Sequence, residues 1–192
     1  MRRTDGAEVE YSDGEGTRGY GRLSGDHVGR ESERVSEPPS PRLTVGAVPI
    51  RSRDRLRYMV EKAAEVGLNR LLWLESRRAQ MSPPPAERTA GWAIAALEQS
   101  RSAWLMEVVG PTKPLEMKGH VWVADPRGEP MDEVTDEVAL LIGPEGGWAP
   151  EEIEGLPRVT LGPSVLRAET AVVVAAVLLA QKSGRLGGRR TR

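Results

Sequence analysis

Two glycine-bearing turns hold the residues of this chain best placed to do chemistry: Gly143-Pro144-Glu145-Gly146-Gly147, and Leu161-Gly162 running through Val165-Leu166-Arg167-Ala168-Glu169. Each follows a short apolar run and leads toward a predicted helix. Glycine lets the backbone come close to a ligand and aim free amides at it. The first turn carries neither the Gly-Lys-Ser/Thr of a phosphate loop nor a dinucleotide fingerprint. Glu145 would also repel a phosphate, so a neutral or cationic ligand suits this turn better, and a sulfonium-bearing cofactor meets that demand.

Arg167 and Glu169 flank Ala168 just ahead of an apolar segment. On one reading Glu169 caps a helix and Arg167 is a surface residue. On the other, both point into a crevice at the carboxyl end of a strand, where open α/β sheets place their sites. Other chemistries have weaker support. His27 and His120 lie far apart, and no metal-ligand spacing is present. The absence of cysteine removes disulfides, thiolate zinc sites and thiol nucleophiles. Ser164 lacks the elbow that a serine nucleophile needs.

The elements that must position these turns alternate between strand and helix. Ala7–Tyr11 reads as a strand, Asp13-Gly14-Glu15-Gly16 as a turn and Tyr20–Leu23 as a hairpin partner, with loop or disorder over Gly25–Pro41. Strands follow at Leu43–Val48, Leu71–Leu74, Leu105–Val109, Val121–Ala124, Val138–Ile142 and Val159–Leu161, with a turn at Asp125-Pro126-Arg127-Gly128. Asp54 is the expected cap of a helix that ends at Gly67, and Ser82 with the prolines after it opens a second helix near Ala86–Ser102. Pro150-Glu151-Glu152 starts a short helix. Glu169–Lys182 is apolar nearly all round, which predicts a buried helix. The alternation implies a parallel sheet with helices on both faces. Residues 1–42 form a partly disordered β segment, 43–185 the main domain and 186–192 a basic tail.

The chain has 192 residues, 39% hydrophobic and 29% charged, which is an ordinary globular balance. Its longest apolar run, Ala171–Ala180, is too short to span a bilayer, and the N-terminus lacks an apolar signal core. A cytoplasmic location and no membrane partner are expected. The net charge of −1 hides an uneven distribution. Arg51, Arg53, Arg55 and Arg57 crowd one segment, and Lys182, Arg185, Arg189, Arg190 and Arg192 load the C-terminus. No Lys or Arg occurs from Gly128 to Pro157, where nine Asp or Glu residues do. This pattern is read either as solvated surface charge or as a basic face.

Leu141-Ile142-Gly143-Pro144-Glu145-Gly146-Gly147, followed by Leu161-Gly162 and Val165-Leu166-Arg167-Ala168-Glu169-Thr170-Ala171, resembles the RsmE family of 16S rRNA methyltransferases, of the SPOUT class. Asp54-Arg55, Glu61-Lys62-Ala63-Ala64-Glu65-Val66-Gly67, Arg77-Arg78 and Glu98-Gln99-Ser100 extend the resemblance over about residues 43–182. It implies a trefoil-knotted α/β fold, a homodimer, and a role in rRNA processing and ribosome biogenesis. The implied reaction transfers a methyl from S-adenosyl-L-methionine to N3 of a uridine in 16S rRNA of the small ribosomal subunit. Family members begin with a PUA-like RNA-binding barrel, and residues 1–42 resemble a truncated one.

Carried over by this resemblance, the cofactor pocket comprises Ala124, Leu141, Ile142, Gly143, Pro144, Glu145, Gly146, Gly147, Leu161, Gly162, Val165, Leu166 and Ala168. Arg167 and Glu169 are the catalytic candidates, Arg167 for charge on a uracil oxygen and Glu169 for the N3 proton. Arg51, Arg53, Arg55, Arg57, Arg77, Arg78 and Arg101 are candidate RNA contacts. Two other readings stay open: a SPOUT methyltransferase acting on another RNA such as tRNA, and a non-catalytic knotted protein that binds RNA or the ribosome.

Overall fold

The computed structural model describes residues 5–186. It opens with three antiparallel strands in the order β1 (Glu8–Ser12), β2 (Thr17–Ser24) and β3 (His27–Val35). Asp13 closes the first turn, its Oδ1 accepting from the amides of Glu15 at 2.7 Å and Thr17 at 2.9 Å. Strand β3 replaces the loop or disorder expected over Gly25–Pro41 as far as Val35, and residues 36–41 form a loop as expected. Every β3 residue is exposed, so no apolar alternation marks the strand in sequence. Its ladder to β2 holds it, with a bulge at Tyr20/Gly21 and Gly19 packed so tightly that a Cβ would lie 2.3 Å from the Ser32 carbonyl. The small sheet is fastened to the main domain by Gly16 N donating to Ala103 O and Leu105 N donating to Gly14 O, each at 2.9 Å.

The main domain is a six-stranded parallel sheet. Its strands are β4 (Leu43–Ala47), β5 (Arg70–Leu74), β6 (Glu107–Thr112), β7 (His120–Glu129), β8 (Val138–Ile142) and β9 (Arg158–Val159), in the order β6-β5-β4-β8-β7-β9. Strands β4 and β8 are buried along their whole length, as the unbroken apolar runs predict. Gly46 is obligatory there: a Cβ would lie 2.8 Å from Leu141 Cδ2 and 2.9 Å from Leu74 Cδ1. The Asp125–Gly128 turn survives as an excursion inside β7, where Asp125 Oδ1 accepts from Arg127 N at 2.8 Å. Val159 pairs with both Ala124 and Glu129 across it. Strand β6 begins two residues later than expected, because its register follows β5, with Arg70 opposite Glu107.

Helix α1 (Arg53–Val66) is capped by Ser52, whose hydroxyl accepts from Arg55 N, and Asp54 falls in the first turn instead of at the cap. Gly67 ends the helix with φ 90°, as its position predicts. Helix α2 (Ala86–Ser100) starts at Ala86 as expected, with Pro85 at its N-cap and no side-chain cap, and ends two residues before Ser102. Helix α3 (Ala168–Lys182) buries Ala171, Val172, Ala175, Ala176, Leu179 and Ala180 but leaves Val177 37% exposed. Its apolar character therefore exceeds what the domain itself covers. The helices also depart from the expected two-sided arrangement. All three join one core cluster with Val45, Leu71 and Leu140. The opposite face, with Leu72, Val123 and Leu141, is covered by Ile153, Met117 and Trp148 from loops and 3-10 turns. Alternating strands and helices specify that crossovers exist; the strand order, with right-handed crossovers, sets which face each one covers.

Arg185 is no part of a solvated tail. Its guanidinium donates to the carbonyls of Gly67 (2.8 Å), Pro39 (3.0 Å) and Pro41, and to Asn69 Oδ1 (2.7 Å). Asn69 in turn accepts from Leu43 N at 2.8 Å, so one side chain ties the end of α3 to the entry of β4. Burial pulls the Arg185 pKa down to about 10, which leaves the group charged at neutral pH. Arg185→Met should lower unfolding free energy by about 1–3 kcal/mol, because the partly buried carbonyls of Pro39 and Pro41 lose their donor. Urea titration followed by tryptophan fluorescence measures this; an unchanged midpoint would show that the clamp contributes nothing.

Candidate functional site

Both glycine turns open on one cavity of about 680 Å³ at the carboxyl ends of β7, β8 and β9. Parallel strands all exit at this edge, so turns distant in sequence converge there. The first turn is closed by Gly147 N donating to Pro144 O at 2.8 Å, with Gly147 at φ 72°. Gly143 meets the Trp148 indole, and a Cβ there would lie 2.7 Å from Trp148 Nε1. That Nε1 is buried and has no acceptor among the described residues, although Trp148 lines the cavity. Glu152 braces the turn from below: Oε2 accepts from Ala149 N and Oε1 from Arg77 N, both at 2.8 Å. In the second turn Gly162 sits at φ 138°, held by Thr160 Oγ1, which accepts from its amide at 3.2 Å.

Of the residues singled out for the pocket, Ala124, Ile142, Gly143, Pro144, Glu145, Gly147, Leu161, Gly162, Val165, Leu166 and Ala168 line this cavity. Leu141 does not: it is fully buried and packs in the second apolar cluster. Gly146 also stays off the wall, and its carbonyl accepts from Arg78 NH1 at 2.6 Å. Sequence reasoning passed over Asp125, Trp148, Ile153, Arg158 and Ser164, which do line it. Trp148, directly after the glycine turn, was the signal available for finding them.

Arg167 lines the cavity, and it is the first residue before α3. Glu169 does not line it. Its Oε1 lies 3.5 Å from Arg55 Nε, its side chain is 13% exposed, and its Oε2 is buried without a hydrogen-bond partner among the described residues. The acid of the pair has turned toward α1. Within the cavity Asp125 and Arg158 form an ion pair at 2.9 Å, leaving Glu145 and Arg167 as one charge of each sign. The cavity is thus close to neutral.

The candidate RNA-binding arginines divide. Arg57 pairs with Glu61 at 2.6 Å and Arg55 with Glu169, while Arg77 forms a close ion pair with Glu151. Arg78 is spent on the first turn. Arg101 pairs with Glu10 at 3.4 Å, in a left-handed conformation at the end of α2, beside the small sheet. Arg51 and Arg53 border a separate cleft with Arg88, which sequence reasoning missed.

A parallel sheet with a cavity under two glycine turns at its carboxyl edge defines a small-ligand α/β domain. Residues 36–180 match the family model of the RNA methyltransferase domain, and the chain belongs to that family. It is similar to the ribosomal RNA small subunit methyltransferase E of Rickettsia conorii, 24% identical over 164 residues, covering 76% of this chain and 67% of that one. A probable rRNA-methyltransferase from Porphyromonas gingivalis superposes with a TM-score of 0.83 and 27% identity, over 96% of this chain and 88% of that one. A ribosomal RNA small subunit methyltransferase E from Neisseria gonorrhoeae, solved bound to S-adenosyl methionine, superposes at 0.80 with 23% identity, covering 93% and 84%.

Gly143 and Gly146 of the first turn should respond differently to a methyl group. Gly143→Ala must displace the Trp148 indole and should cost about 1–3 kcal/mol, with a shift in tryptophan emission. At Gly146 a Cβ would meet only Arg78 Cδ at 3.6 Å, so Gly146→Ala should stay within about 0.5 kcal/mol of the parent. Equal effects in thermal unfolding would contradict this packing.

Proposed function

We propose that this chain is an S-adenosyl-L-methionine-dependent methyltransferase that modifies N3 of a uridine in 16S rRNA of the small ribosomal subunit. The observation that carries this reading is the cavity itself. Its volume falls in the range of small-molecule sites, and both glycine turns border it. Its charge fits as well: with Asp125 and Arg158 paired, Glu145 remains to favour a cation and Arg167 an anion. The unpartnered Trp148 Nε1 offers a donor to a bound group.

When bound, the cofactor supplies an electrophilic methyl on a sulfonium. Neutral uridine N3 carries a proton and is a poor nucleophile. Arg167, poised at the cavity wall, stabilises negative charge on a uracil oxygen as that proton leaves. The proton leaves to solvent reaching the open cavity, while Glu169, turned toward Arg55 with its Oε2 buried, stands off that wall. With the cofactor held in the cavity, N3 would take its methyl and the sulfur would keep the electron pair of the broken C–S bond.

The same reading covers the finer features of the fold. The β1–β3 sheet is the PUA-like segment. The chain after the second turn forms the knot, and the packing of α3 on β4, β8 and α1 supports this. The half-exposed outer face of α3 around Val177, with Tyr58 of α1 44% exposed, supports a homodimer. A ribosomal target would place the enzyme in the cytoplasm.

Isothermal titration should show S-adenosylmethionine binding, and Arg167→Ala should keep that affinity while methylation slows about 100-fold. Mass mapping of 16S rRNA from a deletion strain, with and without the chain restored, identifies the target. A small-subunit uridine left unmethylated after restoration, with a tRNA uridine methylated instead, would move the assignment to tRNA.

A further inference from the structure

A second cleft, of about 470 Å³, lies between the N-terminal turns of α1 and α2. Among the described residues, Arg51, Arg53 and Arg88 line it and no carboxylate does. Asp54 and Glu87 neighbour these arginines in the chain, but neither lines the cleft. Among the described residues, none of the three forms an ion pair, whereas Arg55 and Arg57 next to them are both paired. Uncompensated guanidinium groups gathered in a concave wall repel one another, and an anion relieves that repulsion. The first turns of two helices add to the positive potential, and α2 lacks a side-chain cap that would compete for its amides. The remaining wall is mostly apolar, with Leu56, Met81, Pro83, Pro84, Pro85 and Trp92 beside Gln80. A ribose and base can lie against such a surface while the guanidinium groups hold the phosphate.

The cleft shares its structural supports with the cofactor cavity. The segment after β5 contributes Gln80–Pro85 to the cleft, while Arg78 of the same segment holds the Gly146 carbonyl. Helix α1 contributes Arg53 and Leu56 to the cleft, while its Arg55 holds Glu169 beside the second turn. We infer that this cleft is a phosphodiester-binding subsite for single-stranded RNA, gripping the strand that flanks the nucleotide presented to the cofactor cavity. The inference rests on the methyltransferase reading for its orientation, and Arg88 becomes its central contact.

Fluorescence anisotropy with a labelled single-stranded oligouridine, repeated across a series of KCl concentrations, tests the subsite. In parallel, isothermal titration with S-adenosylmethionine tests the methyltransferase reading on the same protein. Arg53→Glu and Arg88→Glu should each weaken oligouridine binding and reduce the slope of log K against log[KCl] by about 0.7, the share of one phosphate on a single strand. Arg88→Lys should keep the slope, and all variants should keep the parental affinity for S-adenosylmethionine. Unchanged slopes in both charge reversals, or no oligouridine binding by the parent at low salt, would overturn the subsite. Cofactor binding by the parent leaves the methyltransferase reading standing in either event. If Arg88→Glu fails to fold, exposed Arg51 carries the test as Arg51→Gln with the same expected loss of slope.

Discussion

From Leu43 beside Val138 to Ala47 beside Ile142, two strands far apart in sequence lie in parallel with every residue buried. Their backbone groups have no water to turn to, so the ladder must be complete. It continues past the strands themselves, with Val48 N donating to Ile142 O at 3.2 Å. The pairing closes only because Gly46 leaves room for Leu141 and Leu74. Parallel strands leave the sheet at the same edge. The chain that exits β4 builds the start of α1, and the chain that exits β8 builds the first glycine turn. The cofactor cavity and the basic cleft therefore share one edge because β4 and β8 share one direction.

That edge is held together by side chains reaching between loops. Glu152 binds both the amide that starts its own 3-10 turn and the amide of Arg77. Arg78 reaches the Gly146 carbonyl and fixes the outer side of the first turn. Arg55 and Glu169 fasten the first turn of α1 to that of α3. The cavity itself stays nearly neutral, with Asp125 and Arg158 paired and Glu145 and Arg167 of opposite sign. Arg51, Arg53 and Arg88 gather in the neighbouring cleft. A neutral pocket for a compact cofactor and a positive surface for a polyanion are thus separated by only a few elements.

Much of this was legible in the residues because it is local. The unbroken apolar runs of β4 and β8, the Gly67 cap and the Asp13 turn each depend on a few neighbouring positions. So do the glycine turns, whose special backbone angles at Gly147 and Gly162 demand the residue found there. Strand β3 was not legible, since a strand exposed on both faces has no alternation to read. Ser52 displaced Asp54 as a cap because either residue type can serve, and only the path of the chain out of β4 selects between them. Helices covering one face where two were expected reflect packing that no periodicity encodes.

The sequence by itself determined which segments are buried, where the chain turns, and that two turns near its C-terminal end can close on a ligand. These follow from hydrophobicity and backbone sterics acting over a few residues. Only the tertiary structure decided where each charge finds its partner. Arg185 reaches Pro39, Arg78 reaches Gly146, and Glu169 faces Arg55 instead of the cavity. Arg88 is left to join Arg51 and Arg53. Electrostatic partners act through space and depend on the solvent left around them, and the folded chain alone sets both.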